Sequence, residues 1–137
     1  MSKINQKNRK FDLIIWGSTG YTGKLVCEYI FNSYKDTNLK WALGGRNELK
    51  IKRLISSLEL NSIPYLIADC NNKNSLLEMT KMTRTICSTV GPYDKYGTLL
   101  VEAAHGGYMG PIIGMLGFSL AIALPFAMFA AFPGWLN

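Results

Sequence analysis

The stretch WGSTGYTGK (16–24) places glycines at 17, 20 and 23, directly behind the apolar run DLIIW. Continuous apolar, β-rich residues over Phe11–Trp16 suit a strand buried on both faces. Beyond the glycines, Leu25, Val26, Tyr29 and Ile30 recur at helical spacing, with Lys24 and Glu28 free to face water. A parallel strand that passes straight into a helix must turn sharply. The helix start then offers unpaired amides and a partial positive charge. Gly17 would make the tight turn, Gly20 would let a diphosphate approach the main chain, and Gly23 would bring the helix close to the sheet. Ser18, Thr19, Tyr21 and Thr22 complete the same main-chain cradle, where lack of bulk matters more than side-chain identity. The Gly23-Lys24 pair does not make a triphosphate loop. That motif needs glycine where Ser18 stands, and serine or threonine where Leu25 stands.

Strand and helix patterns alternate along the rest of the first hundred residues. LKWALGG reads as a second strand ended by Gly44 and Gly45, and ELKIKRLISSL as an amphipathic helix. IPYLIADC reads as a third strand, SLLEMTKM as a short helix with a Ser75/Glu78 capping box, and RTICSTVG as a fourth strand. Short connections and alternation predict an α/β fold, a doubly wound parallel sheet.

The second strand ends LGGRN, with no carboxylate to accept from ribose hydroxyls. Arg46 stands where a 2′-phosphate would arrive, which favours NADP(H) over NAD(H) as the dinucleotide. Asp69, after the third strand, is placed either to accept from an adenine amino group or to make a turn. Gly91 and Pro92, after the fourth, either let the backbone pass near the ribose and nicotinamide or simply end the strand. No catalytic set is legible. Tyr93 and Lys95 stand two apart, where a shared helix face needs four, and His105 has no carboxylate partner in view. The three cysteines, Cys27, Cys70 and Cys87, are far apart inside apolar runs, so neither a disulfide framework nor a zinc site is expected. The net charge of +6 is spread over helix faces and loops, which argues against nucleic acid as a partner.

The 137 residues divide into three parts: a polar lead-in (1–10) without secretion features, a nucleotide-binding domain (11–104), and an apolar tail (105–137). Every Lys, Arg, Asp and Glu lies at or before Glu102. Residues 109–132, as a helix of about 36 Å, are long enough to span a bilayer, with the basic residues keeping the nucleotide domain cytoplasmic. The same tail could self-associate, or fold back over the edge of the sheet.

The segments DLIIWGSTGYTGKLVCEYI, WALGGRNELKIKRL, IADCNN and CSTVGPYDKYGTLLVEA resemble the nucleotide-binding domain of saccharopine dehydrogenase-like oxidoreductases over about residues 11–104. The resemblance implies a truncated Rossmann domain, with the three glycines in the phosphate turn and Arg46 near the adenosine end. It also implies the cofactor-binding portion of an oxidoreductase whose substrate domain is missing, so not competent for turnover alone. The tail GPIIGMLGFSLAIALPFAMFAAFPGWLN resembles the membrane domain of bacterial thiol–disulfide interchange proteins, but it lacks their cysteine pair. Together the two resemblances imply a fused or chimeric chain, whose Rossmann part could also be a scaffold without useful cofactor affinity.

Overall fold

The computed structural model describes residues 9–91, 93–105 and 112–115, with only the backbone described at Tyr93, Asp94, His105 and 112–115. Strand β1 (Phe11–Trp16) leads into helix α1 (Tyr21–Tyr34), β2 (Trp41–Gly45) into α2 (Glu48–Leu58), and β3 (Tyr65–Ile67) into α3 (Lys73–Lys81). Strand β4 (Thr83–Ser88), helix α4 (Tyr93–His105) and strand β5 (Ile112–Met115) follow. The strands form one parallel sheet in the order β3-β2-β1-β4-β5. The chain therefore steps outward from β1 to β3, then crosses back to the other side of β1. That reversal opens a crevice at the carboxyl end of β1, and it is the Rossmann-like arrangement expected from the alternation.

Side-chain alternation along the strands builds two cores, one on each face of the sheet. Ile15 and Leu43 pack with Cys27 of α1 and with Ile51 and Leu54 of α2. Ile14, Trp16, Ala42 and Ile86 pack with Leu76 and Met79 of α3 and with Leu100 and Ala103 of α4. Ile14, Ile15, Leu43 and Ile86 are wholly buried, as a central parallel sheet demands.

Several boundaries move from their sequence positions. Strand β2 starts at Trp41 and not at Leu39, and it ends, as expected, with Gly44 and Gly45, which pair with Trp16 and with β3. A Cβ on Gly44 would lie 3.0 Å from Ile14 Cγ2, so the glycine lets β1 and β2 side chains interdigitate. Helix α3 is capped by the Asn72 side chain, which accepts from the Ser75 amide at 3.2 Å. The expected Ser75 cap is displaced because the Ser75 hydroxyl donates back to the Asn72 and Asp69 carbonyls. Arg9, assigned to the lead-in, donates to the carbonyls of Thr80 and Thr83.

The apolar tail needs a correction. Residues 112–115 form a strand paired with β4, so a continuous helix over 109–132 does not hold there. Among the described residues no helix is long and apolar enough to cross a membrane. The remainder of the tail, and with it membrane association or self-association through it, lies outside the described residues.

Two stability predictions follow from this packing. Glu59 closes α2 in the left-handed region at φ 56°, a conformation that costs a side chain about 1 kcal/mol. Glu59→Gly is expected to raise the free energy of unfolding in urea by up to about 1 kcal/mol. Burial, with a smaller contribution from nearby Cys87, pushes the Cys27 thiol from its ordinary 9.0 up to about 12. The folded state thus keeps a proton that the unfolded chain releases. The Cys27 contribution is intact below pH 9 and lost as pH rises toward about 12. Alkaline denaturation profiles of wild type and Cys27→Ala should therefore converge over that interval, with the wild type the steeper.

Candidate functional site

The turn between β1 and α1 is tied down from both neighbouring strands. The carbonyl of Gly44 accepts from the amides of Gly17 (3.0 Å) and Ser18 (3.1 Å) and from the Ser18 hydroxyl (3.0 Å). From the β4 side, the Thr89 hydroxyl donates to the carbonyls of Trp16 and Gly17, each at 3.0 Å. Ser18 is fully buried, so its side chain serves the turn and is not available as a ligand contact.

The three glycines play different parts. Gly17 sits at φ +86°, and a Cβ there would meet Val90 and Thr89 at 2.7 and 2.8 Å. Gly23 is buried, and its Cβ would collide with the Gly17 carbonyl and lie 2.8 Å from Ser18 Cα. It is therefore the turn's own backbone, more than the sheet, that requires glycine at 23. Gly20 differs from both. It is exposed, its backbone is ordinary extended chain, and the nearest atom to an added Cβ is the Gly17 carbonyl oxygen at 3.5 Å. The fold itself does not ask for glycine at this position.

Helix α1 begins at this point with no side-chain cap and no acidic residue in its first turn. Helices α2 and α3 are capped by Asn47 and Asn72. The first amides of α1 thus keep the hydrogen-bonding capacity that other helix starts satisfy internally. A cleft of about 270 Å³ opens beside the turn, with Gly17, Thr19, Arg46, Lys50, Gly91 and Tyr96 in its wall. Arg46 and Lys50 are both exposed, and neither takes part in an ion pair among the described residues. Lys50 comes to the cleft because α2 starts two residues after Arg46, behind the Asn47 cap, so the first helical turn brings the two cations to one side.

The sequence-predicted residues divide accordingly. Gly17, Thr19, Arg46 and Gly91 line the cleft, while Gly20, Tyr21, Thr22 and Gly23 form the start of α1 beside it. Pro92 lies outside the described residues. Asp69 does not line the cleft. Its carboxylate accepts from the Asn71 amide at 2.9 Å, and its own amide donates to the Ser75 hydroxyl at 3.0 Å. It is a turn aspartate. Lys50, Asn47, Cys70, Val90 and Tyr96 also line the cleft, and the sequence pattern does not single them out. Lys50 could have been found by counting one helical turn on from Arg46, whereas Tyr96 depends on where α4 packs. Tyr93 and Lys95 both lie on α4, two residues apart. Among the described residues no group of His, Cys, Asp and Glu could hold a metal ion.

No family model matches the chain. A trans-acting enoyl reductase of Mycobacterium leprae is 32% identical over 102 residues, covering 73% of this chain and 24% of that protein. This chain resembles trans-acting enoyl reductases. A similar protein of Mycobacterium ulcerans is 31% identical over 102 residues, with 73% and 24% covered. A lipid droplet localized protein of Caenorhabditis elegans is 31% identical over 101 residues, with 69% and 24% covered. The chain spans about a quarter of the length of these relatives. Among solved structures, Pen from Bacillus thuringiensis aligns with a TM-score of 0.55 at 17% identity, covering 70% of this chain and 35% of that one. AtPrR2 with NADP+ and (+)pinoresinol aligns at 0.53 and 14% identity, covering 72% and 34%. At these identities the structures support the fold.

These findings correct the resemblance to saccharopine dehydrogenase-like oxidoreductases: the mycobacterial relatives that match carry the enoyl reductase name. The motifs behind that resemblance are the strand ends and glycine turn, which the fold imposes on many families, so they could not separate one from another. The resemblance of the tail to thiol–disulfide interchange proteins gains no support either. The similarity found is to enoyl reductases over 102 residues of this chain and to a lipid droplet localized protein over 101.

The glycine geometry makes a stability prediction. Gly23→Ala should lower unfolding free energy by about 1–3 kcal/mol, because the turn backbone must move. Gly20→Ala, at an exposed helix cap, should cost under about 1 kcal/mol in the same denaturant titration.

Proposed function

We propose that the chain is the dinucleotide-binding portion of an NADP(H)-dependent reductase acting on an enoyl substrate. One observation carries the reading: a glycine that the fold does not need, Gly20, stands at the uncapped start of α1, beside a cleft with two cations that form no ion pair among the described residues. A diphosphate would use the free amides at the start of α1, with Gly20 leaving room for its oxygens. Arg46 and Lys50 would hold a 2′-phosphate. The carboxylate that would accept from the ribose hydroxyls of NAD(H) is not among the residues lining the cleft. The residues present therefore fit NADP(H). The names of the mycobacterial relatives and the NADP+ complex of AtPrR2 support the same reading.

When bound, the nicotinamide supplies a hydride. This chain's part is to bind and orient. The turn would hold the diphosphate, the two cations would hold the adenosine end, and exposed Gly91, three residues beyond β4, leaves the opposite side of the cleft open. Recognition and protonation of the substrate fall to chain that the relatives have beyond this quarter of their length.

Titration with NADPH, followed by nicotinamide fluorescence, tests the proposal. Saturable binding is expected. Arg46→Ala and Lys50→Ala should each weaken NADPH by about tenfold while leaving NADH within about twofold. Gly20→Val should abolish binding of both without lowering the melting temperature by more than a few degrees. Wild-type protein that shows no binding at millimolar NADPH would end the proposal.

A further inference from the structure

Four of the six large apolar or aromatic side chains exposed among the described residues lie on one helix, α1: Tyr21, Leu25, Tyr29 and Tyr34. Tyr21, Leu25 and Tyr29 follow one another at four-residue spacing, so they form a continuous stripe along the helix. Their relative exposures are 84%, 52% and 62%. Leu25 and Tyr29 share the helical period of Val26 and Ile30 but not their burial. The buried residues of α1, Gly23 and Cys27, serve its inner face, against the turn and the sheet. The outer faces of α2 and α3 differ. The exposed positions of α3 are Lys73, Asn74, Glu78 and Lys81, and on α2 the exposed large apolar residue is Leu49 alone. A contiguous apolar stripe on a polar exterior marks an interaction surface. The Tyr29 ring stands edge to face with Tyr34, centroids 6.4 Å apart, which holds it in place before a partner arrives.

The charges beside the stripe say what fits it. Lys24 and Glu28 are both exposed and flank it on one side. They stand four apart, yet neither takes part in an ion pair among the described residues. Lysine ahead of glutamate is the weaker order for a pair within one helix. A flank with one charge of each sign is its own complement when reversed. Two copies of α1 packed antiparallel about a two-fold axis bring like flanks together in opposite directions. Lys24 of each copy then meets Glu28 of the other while the stripes cover each other. A parallel pair would set this flank against the uncharged one that carries Thr22 and Ser33. A lipid surface would offer no counterpart to one charge of each sign.

We infer that the outer face of α1 is a self-association surface, through which two copies of this chain pair by Tyr21, Leu25 and Tyr29, with the antiparallel register fixed by two Lys24–Glu28 contacts. A single helix of 14 residues, about 21 Å long, covers less than the roughly 800 Å² per partner of a standard interface. The dimer is therefore weak, with a Kd of about 10–100 µM. The inference does not depend on what the cleft binds.

Sedimentation velocity of the whole chain between about 5 and 500 µM tests it. Wild type is expected to pass from monomer to dimer over that range. Leu25→Glu should weaken the dimer at least about tenfold, by placing a charge at the centre of the stripe. Lys24→Glu and Glu28→Lys should each weaken it about three- to tenfold, since each sets two pairs of like charges together. The double variant should recover to within about twofold of wild type. All three positions are exposed, and thermal melts check that every variant is folded. Wild type that stays monomeric throughout overturns the inference. So does association that Leu25→Glu leaves unchanged, which would put the contact on another part of the chain. A double variant no better than the single ones overturns the antiparallel register. Monomeric wild type that floats with phosphatidylcholine vesicles, where Leu25→Glu does not, would give the stripe to a lipid surface and end the inference.

Discussion

The carbonyl of Gly44 is the point on which the site depends. It lies at the end of β2 and gathers three donors from the first two residues of the glycine turn. Thr89 grips the same turn from β4. The turn is therefore held between the strands on either side of β1. With its own backbone fixed, Gly17 takes a left-handed conformation and α1 starts without a cap. An uncapped helix start would be a modest defect in most folds. Here it lies beside a cleft, and its hydrogen-bonding capacity is left unmet.

The sheet order explains why the cleft lies where it does. The chain runs outward through β2 and β3, then returns across β1 to β4 and β5. Helices α1 and α2 cover one face while α3 and α4 cover the other. At the carboxyl end of β1 the two sets of helices diverge, so Arg46 and Lys50, just before and within the first turn of α2, meet Tyr96 of α4 across a single gap. The same divergence gives the cleft its chemical asymmetry, with cations on one side and the edge of a hydrophobic core on the other.

Much of this was legible in the chain. The apolar run Phe11–Trp16 coincides with β1, because six β-rich residues between a polar segment and glycine leave little latitude. The pattern ELKIKRLISSL likewise coincides with α2, since Ile51, Leu54, Ile55 and Leu58 keep a helical period. The third strand was overextended. Residues 63–70 look equally apolar, but only Tyr65–Ile67 pair with β2, and Asp69 begins the turn that caps α3. The family resemblance failed for a related reason: the residues that carried it are those that any such turn requires. The strand at 112–115 was hidden inside a run whose apolar character fits a helix equally well, and only pairing with β4 distinguishes the two.

The sequence by itself determined the order of strands and helices, the glycine turn, and the presence of Arg46 with no carboxylate after β2. These are local properties, set by side-chain period, backbone freedom and charge at fixed positions along the chain. Tertiary structure alone decided that Gly23 is required by the turn's own carbonyl, that Ser18 is spent on Gly44, and that Asp69 closes on itself. It also decided that Lys50 and Tyr96, one on α2 and the other on α4, share a cleft. Each of these depends on distances between residues remote in sequence or on competition for one hydrogen bond, and a linear pattern encodes neither.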